Sequence, residues 1–354
     1  MSKTAIVMGA GGFIGSHLVK RLKQEGYFVR GVDLKYPEFS ETKADEFLIA
    51  DLRDPIRVDT VLSTRGLLRN KAGHPFDELY QLAADMGGAG YVFTGDNDAK
   101  IMRDSMLINV NAATYASLHK VKKVFFSSSA CVYPWTNQDD ITVDPITAES
   151  SAYPANPDSE YGWEKLIAER LYKAYERTGL FKICIARFHN IYGPEGTFEG
   201  GREKVPAALC RKVIESEFEK TNTIEIWGTG EQKRSFLYID DCLDRVRRLM
   251  FTGENNPVNI GSDEIISIND LGRMIIDISG RKLKIKNIKR GMPIGVQTRS
   301  SDNAYIKTIF DLPPVNILHR GIRKTYAWIR DYIDNRKYIY ERNPDTDKIR
   351  RKPV

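Results

Sequence analysis

The sequence predicts an α/β protein: a doubly wound parallel sheet followed by a smaller α/β domain. Three observations lead there. The first half alternates short apolar runs with stretches of helical spacing, the pattern of a parallel sheet covered by helices on both faces. A glycine-rich turn, Gly9-Ala10-Gly11-Gly12, follows the first apolar run at once. Beyond about residue 190 the alternation loosens into short strands and longer helices.

Taken in order, Thr4–Met8 is the first strand, and residues 13–25 carry Ile14, Leu18 and Leu22 at helical spacing. Phe28–Asp33 is the second strand and residues 46–50 the third. Residues 78–82 and 123–127 are further strands, with a helix near residues 98–119 between them. A helix over 160–178 and a strand over 182–187 complete this half. After it, Thr223–Trp227 and Val258–Ile260 read as strands among helices near 204–216, 240–251, 268–278 and 316–335. The expected division is one domain over residues 1–190, a second mainly over 191–335, and a basic tail over 336–354. That tail holds Lys348, Arg350, Arg351 and Lys352, and such polar ends are usually solvated.

Composition narrows the function classes. In 354 residues, 42% are hydrophobic and 28% charged, ordinary values for a soluble globular enzyme. No apolar run approaches the roughly 18 residues that a membrane span needs, and the first residues lack the apolar core and cleavage site of a signal peptide. A cytoplasmic location and no membrane partner are expected. The four cysteines, Cys131, Cys184, Cys210 and Cys242, show no C-x-x-C pairing and no histidine cluster. They predict neither a disulfide framework nor a metal site. The net charge of +6 comes without aromatic-basic interleaving or a nucleic-acid motif, so nucleic acid is not an expected partner.

Gly9, Gly12 and Gly15 form G-x-x-G-x-x-G between the first strand and the first helix. Glycine permits the tight turn and a close approach of backbone to a pyrophosphate. The helix start at Phe13 and Ile14 then turns free N–H groups toward the phosphates. Asp33 ends the second strand, where a carboxylate accepts both ribose hydroxyls and repels a 2′-phosphate, so the predicted cofactor is NAD. Asp51 and Leu52 after the third strand are placed at the adenine. Ala83, in Leu82-Ala83-Ala84-Asp85 after the fourth, is placed at the cofactor backbone. This is the Rossmann-type arrangement.

Tyr161 and Lys165 stand at i and i+4, on one face of a helix. A phenol of pKa near 10 is a poor base; a neighbouring ammonium is expected to favour the phenolate and bring that value down. The pair is preceded by Ser127-Ser128-Ser129-Ala130-Cys131-Val132-Tyr133 at a strand end.

With Gly9–Gly15, Asp33, Asp51, Ser129, Tyr161 and Lys165 in these places, the chain resembles the extended short-chain dehydrogenase/reductase family. Arg234-Ser235-Phe236-Leu237-Tyr238-Ile239-Asp240-Asp241 and Asn259-Ile260-Gly261-Ser262 are similar to that family's nucleotide-sugar segments. The resemblance covers roughly residues 3–335. It implies oxidation of a sugar hydroxyl by tightly held NAD, with Ser129 and Tyr161 on the hydroxyl and Lys165 also on the nicotinamide ribose. Four further segments resemble the GDP-mannose 3,5-epimerase group within the family. They are residues 83–88, 128–134, 187–194 and Gly200-Gly201-Arg202-Glu203-Lys204. A 4-ketone acidifies the C–H bonds at C3 and C5, and inversion there needs a base on one face and an acid on the other. The resemblance gives these roles to Cys131 and Lys204. It places substrate contacts at Gly88, Ser129, Cys131, Tyr161, Asn190, Glu203, Lys204, Lys212, Gln232, Arg234 and Arg299, the cations suiting the diphosphate of a GDP-sugar. It also implies a homodimer.

Alternatives stay open at this point. Another GDP-sugar, such as a GDP-heptose, would alter none of these motifs. A UDP-sugar 4-epimerase needs Tyr161 without the Cys131/Lys204 pair. A non-catalytic NAD-binding sensor has no need of Ser129, Tyr161 and Lys165 together.

Overall fold

The computed structural model describes residues 3–63, 74–142, 144–288, 295–312 and 317–342. The first half lays down β1 (Thr4–Met8), β2 (Phe28–Asp33), β3 (Glu46–Ile49), β4 (Glu78–Gln81), β5 (Lys123–Ser129) and β6 (Lys182–Phe188). Between them run α1 (Phe13–Gln24), α2 (Pro55–Leu62), α3 (Ala89–Val92), α4 (Asp98–Leu118) and α5 (Glu160–Arg177). The second half contributes β7 (Ile191–Tyr192), α6 (Val205–Phe218), β8 (Thr223–Trp227), β9 (Lys233–Ser235), β10 (Leu237–Tyr238) and α7 (Ile239–Thr252). It continues with β11 (Val258–Ile260), β12 (Ile265–Ser267), α8 (Ile268–Ser279), β13 (Lys284–Ile288), β14 (Thr298–Arg299), α9 (Ala304–Ile309) and α10 (Leu318–Arg342).

The central sheet has seven parallel strands in the order β11-β6-β5-β4-β1-β2-β3. The central strands β1, β4, β5 and β6 are largely buried and mostly apolar, as a parallel sheet covered on both faces requires. In β1, Ala5 and Val7 join the core that holds Leu18, Val19 and Leu22 of α1, while Ile6 and Met8 join Val58, Val61 and Leu62 of α2 and Ala112, Ala113 and Ala116 of α4. Each fully buried Leu, Ile or Val contributes roughly 1.5–3 kcal/mol. The predicted fold class is the observed one. Val258–Ile260, a strand of the second half, is fully buried and pairs with β6 as β11 at the edge of the main sheet.

β7 pairs with β10, β13 with β8, and β12-β9-β14 form a small mixed sheet beside the main one. α7 ties the halves together through Arg247, whose buried guanidinium donates to Glu78 at 2.7 Å and Glu25 at 2.8 Å, and to the hydroxyls of Tyr27 and Tyr80. α10 runs to Arg342, past the expected boundary at 335. The basic tail residues Lys348, Arg350, Arg351 and Lys352, and residue 316, lie outside the described residues. Among those described, no helix is long and apolar enough to cross a membrane.

Candidate active site

The chain order on the two sides of β1 reverses between β1 and β4. In an open α/β sheet a ligand crevice forms at such a switch point, outside the carboxyl ends of the strands. Here it is a cleft of about 1000 Å³. Every residue that the sequence placed at the cofactor or the substrate lines it.

The cofactor wall comes from the ends of β1, β2, β3 and β4. Gly9 has φ +88°, and a Cβ there would lie 2.8 Å from the Ala83 nitrogen. A Cβ on Gly15 would lie 2.0 Å from the Gly9 carbonyl oxygen, so the turn closes onto α1 only with glycine. Gly12 caps α1 without a side-chain hydrogen bond and the first turn carries no acidic residue, which leaves its N–H groups to an anion. The Asp33 carboxylate accepts from the nitrogens of Gly11 at 2.9 Å and Leu34 at 2.7 Å. Burial pushes this carboxyl above its ordinary range, against those two bonds. Asp51 is clamped by Arg53 at 2.6 Å, which holds it low. The glycine cradle, the uncapped helix start and Asp33 fit a dinucleotide.

The catalytic wall begins at the end of β5. Ser129 caps the 3₁₀ turn Ala130–Val132 by accepting from the Cys131 nitrogen at 3.2 Å. α5 packs directly on that turn, because Gly162 has no Cβ; one built there would lie 2.1 Å from the Cys131 carbonyl oxygen. Tyr161 is thereby set within the electrostatic reach of Ser129 and Cys131. The Lys165 ammonium lies 5.6 Å from the centre of the Tyr161 ring. The expected lowering of the Tyr161 phenol is outweighed by its surroundings. Burial, then the nearby Cys131 and Glu164, push it well above 10, and burial also pushes Lys165 below its usual value.

Lys204 is the residue before α6, a helix with proline in its first turn, and it opens into the cleft. Gly88 anchors this segment: its nitrogen donates to the Arg202 carbonyl at 3.1 Å, and a Cβ there would lie 2.4 Å from the Glu203 carbonyl oxygen. The surrounding protein lowers Lys204 by desolvation and Arg299, opposed by Cys131. Burial raises the Cys131 thiol, and Asp158 adds to the rise.

The other predicted contacts hold inward-facing places. Asn190 donates to the Ser235 carbonyl at 3.0 Å, and Lys212 to the Glu225 carbonyl at 2.7 Å beside the Trp227 ring. Gln232 is buried with its Oε1 unpaired, as is one oxygen of Glu203. Arg234 donates to the carbonyls of Lys233, Gln297 and Val296. Arg299 lines the cleft with each branch of its guanidinium engaged, by Gln138, Cys131 and Asp158. Gln138 and Asp158 carried no signal in the sequence, since each meets Arg299 only across a long stretch of chain. Arg202 and Asp85 were also missed as a pair: Arg202 lies over the Tyr91 ring at 4.0 Å and 3.7 Å from the Asp85 carboxylate, joining the two loops that face each other across the cleft.

Comparison with known proteins agrees with this geometry. Residues 5–261 match the model of the NAD dependent epimerase/dehydratase family. GDP-mannose 3,5-epimerase of Arabidopsis thaliana is 41% identical over 333 residues, covering 94% of this chain and 83% of that protein. GDP-mannose 3,5-epimerase 1 of Oryza sativa subsp. indica is 41% identical over 94% of this chain and 82% of its own. A solved UDP-glucose 4-epimerase from Thermotoga maritima shares the fold, with a TM-score of 0.76 at 24% identity over 93% of this chain and 99% of that one. A Thermus thermophilus UDP-glucose 4-epimerase in complex with NAD superposes with a TM-score of 0.75 at 19% identity, covering 92% and 99%. The chain is therefore an NAD-dependent enzyme belonging to the NAD dependent epimerase/dehydratase family.

Proposed function

We propose that the enzyme inverts C5 and C3 of the mannose ring of GDP-mannose through a 4-keto intermediate. The observation that carries this reading is that Cys131 and Lys204, from separate elements, enter one cleft beside Tyr161 and Ser129, near enough to act on each other's charge. A simple 4-epimerase has no use for that second pair. The 41% identity to plant GDP-mannose 3,5-epimerases supports the same substrate.

When bound, NAD supplies the hydride acceptor and donor for C4. Ser129 and Tyr161 hold the C4 hydroxyl, and Tyr161 takes its proton. That ionisation is uphill for a buried phenol, and the Lys165 ammonium one helical turn away favours the charge as it develops. The resulting ketone acidifies C5–H and C3–H. One of Cys131 and Lys204 removes a proton from one face, and the other delivers a proton to the opposite face. Burial pushes the cysteine up, and desolvation by the surrounding cleft draws the lysine down. As a thiol the cysteine can give a proton, and as an amine the lysine can take one. Tyr161 returns its proton to the C4 oxygen when the ketone is reduced.

The test is incubation of the purified protein with GDP-mannose in deuterated water without added NAD. Deuterium at C3 and C5, with GDP-L-galactose and GDP-L-gulose as products, is expected. Exchange into another GDP- or UDP-sugar but not GDP-mannose would overturn the substrate. The reading extends to a cytoplasmic homodimer. The four free cysteines suit a reducing compartment, and exposed Leu107 and Val110 of α4 with Ile167 of α5 offer an apolar face for a second copy. A monomer by sedimentation would remove the dimer.

A further inference from the structure

We propose that Asp158 and Gln138 form a positioning clamp that locks the Arg299 guanidinium against the Cys131 sulfur, with the Asp158 carboxylate limiting how strongly that guanidinium acts on the sulfur. The inference rests on reading Cys131 as an acid–base group of the proposed reaction.

The clamp is fully built. Arg299 on β14 donates from Nε to Gln138 Oε1 at 2.6 Å, from Nη2 to Asp158 Oδ2 at 2.5 Å and from Nη1 to Cys131 Sγ at 3.2 Å. Gln138 is fully buried, and the Arg299 and Asp158 side chains are 8% and 5% exposed. The Gln138 amide has one orientation: its Nε2 donates to the carbonyls of Tyr133 and Pro134, both at 3.2 Å, so its oxygen must face Arg299. The Gln138 carbonyl in turn accepts from the Thr298 nitrogen at 2.9 Å and fixes β14 to this turn. Asp158 immediately precedes Ser159, the N-cap of α5. One helix start thus sets both Tyr161 and the carboxylate that holds Arg299.

The charges facing Cys131 explain why a carboxylate belongs there. Arg299 from β14, Lys204 from the start of α6, Arg234 from β9 and Lys165 from α5 are cations within its electrostatic reach, and Tyr161 is a neutral phenol. Burial holds Cys131 toward the thiol, and these cations pull it toward the thiolate. Asp158 is the anion in this set. It adds to the effect of burial and opposes Arg299 and Lys204.

The experiment is the pH dependence of Cys131 alkylation by iodoacetamide in the NAD-containing enzyme, followed by mass spectrometry of the Cys131 peptide. Buried Cys184, Cys210 and Cys242 report any loss of fold by becoming reactive. Asp158→Asn keeps an acceptor for Arg299 and removes only the charge, so the midpoint should fall by about one pH unit. Arg299→Gln should raise it by a similar amount. In turnover, Asp158→Asn should shift the pH profile of C5 exchange the same way. An unmoved or raised midpoint in Asp158→Asn overturns the proposal; if that variant exposes the buried cysteines, Asp158→Ser is read by the same criterion. The titration needs no sugar. Absence of exchange from GDP-mannose would therefore sink the substrate reading and leave the clamp standing.

Discussion

The two walls of the cleft are made of different material. The cofactor wall is mostly backbone: Gly9, Gly12 and Gly15 within one turn, a helix start without a side-chain cap, and a single carboxylate from Asp33. The opposite wall is mostly charged and nucleophilic side chains: Cys131, Lys204, Arg234 and Arg299, brought in from the end of β5, the start of α6, β9 and β14. The cofactor wall needs only close approach and phosphate-facing N–H groups, which neighbouring residues supply. Proton transfer at two carbons needs paired groups of opposed charge tendency, which only distant segments can bring together. The first wall should therefore fail through geometry and the second through charge.

The largest effect should come from breaking the geometric wall. Gly15→Val puts carbon where the Gly9 carbonyl oxygen already stands, 2.0 Å from the Cβ position. Backbone has to move, and the purified variant should carry no NAD and melt earlier than the parent. Retention of NAD, read from the nucleotide released on denaturation, would show that the turn is not the cofactor's seat.

Next in size is a break in the chemical wall that spares the first. Cys131→Ala and Lys204→Ala should each keep bound NAD and lose roughly 10²–10⁴ in the rate of deuterium exchange at C5. The double variant should be little worse than either single one, because an acid without its base does no more than neither. Additive losses would show that the two do not act as a pair.

A subtler expectation concerns the proton that the pair shares. Burial moves Cys131 up, and desolvation by the cleft moves Lys204 down. Inversion requires one proton on the two together. Exchange should then follow a bell-shaped pH profile whichever residue holds it. Lys204→Ala should abolish one limb in its residual rate. A profile that keeps both limbs in that variant would assign them elsewhere.

The same contrast explains what the sequence disclosed. The strands of the first half and its helices α1, α4 and α5 were legible because their apolar spacing is local, as Ile14, Leu18 and Leu22 illustrate on α1, whereas the short α2 and α3 were not read. The place of β11 in the main sheet was not legible, since three residues carry no sign of the sheet they join. The glycines and Asp33 were legible for the same local reason. Cys131 and Lys204 came to light through resemblance, because nothing in their own neighbourhoods announces proton transfer. Gln138 and Asp158 stayed hidden: they meet Arg299 across 161 and 141 residues. The expected effect of Lys165 on Tyr161 was misjudged because spacing reports proximity and not desolvation, and desolvation dominates in this cleft.

The smallest predicted effect tests the one place where the geometric wall uses charge. Asp33 is held above the ordinary carboxylate range by burial, with Gly11, Leu34 and Lys35 opposing. The folded chain thus binds this proton more readily than the unfolded chain does, so ionised Asp33 costs stability at neutral pH. The cost is present above the raised folded pKa and vanishes as pH falls below the unfolded one. Asp33→Asn removes it. The NAD-free variant should melt slightly higher than the parent at pH 7 and no higher at pH 3. NAD binding should meanwhile weaken about tenfold, as expected when a charge-assisted hydrogen bond to the ribose is lost. Discrimination against NADP should shrink with it, since the repelling charge is gone. Calorimetry of the NAD-free protein at the two pH values, with titrations of both dinucleotides, reads all three effects. A variant that melts lower at pH 7 would make Asp33 a structural anchor for the Gly11 turn, and the cofactor wall would then be backbone throughout.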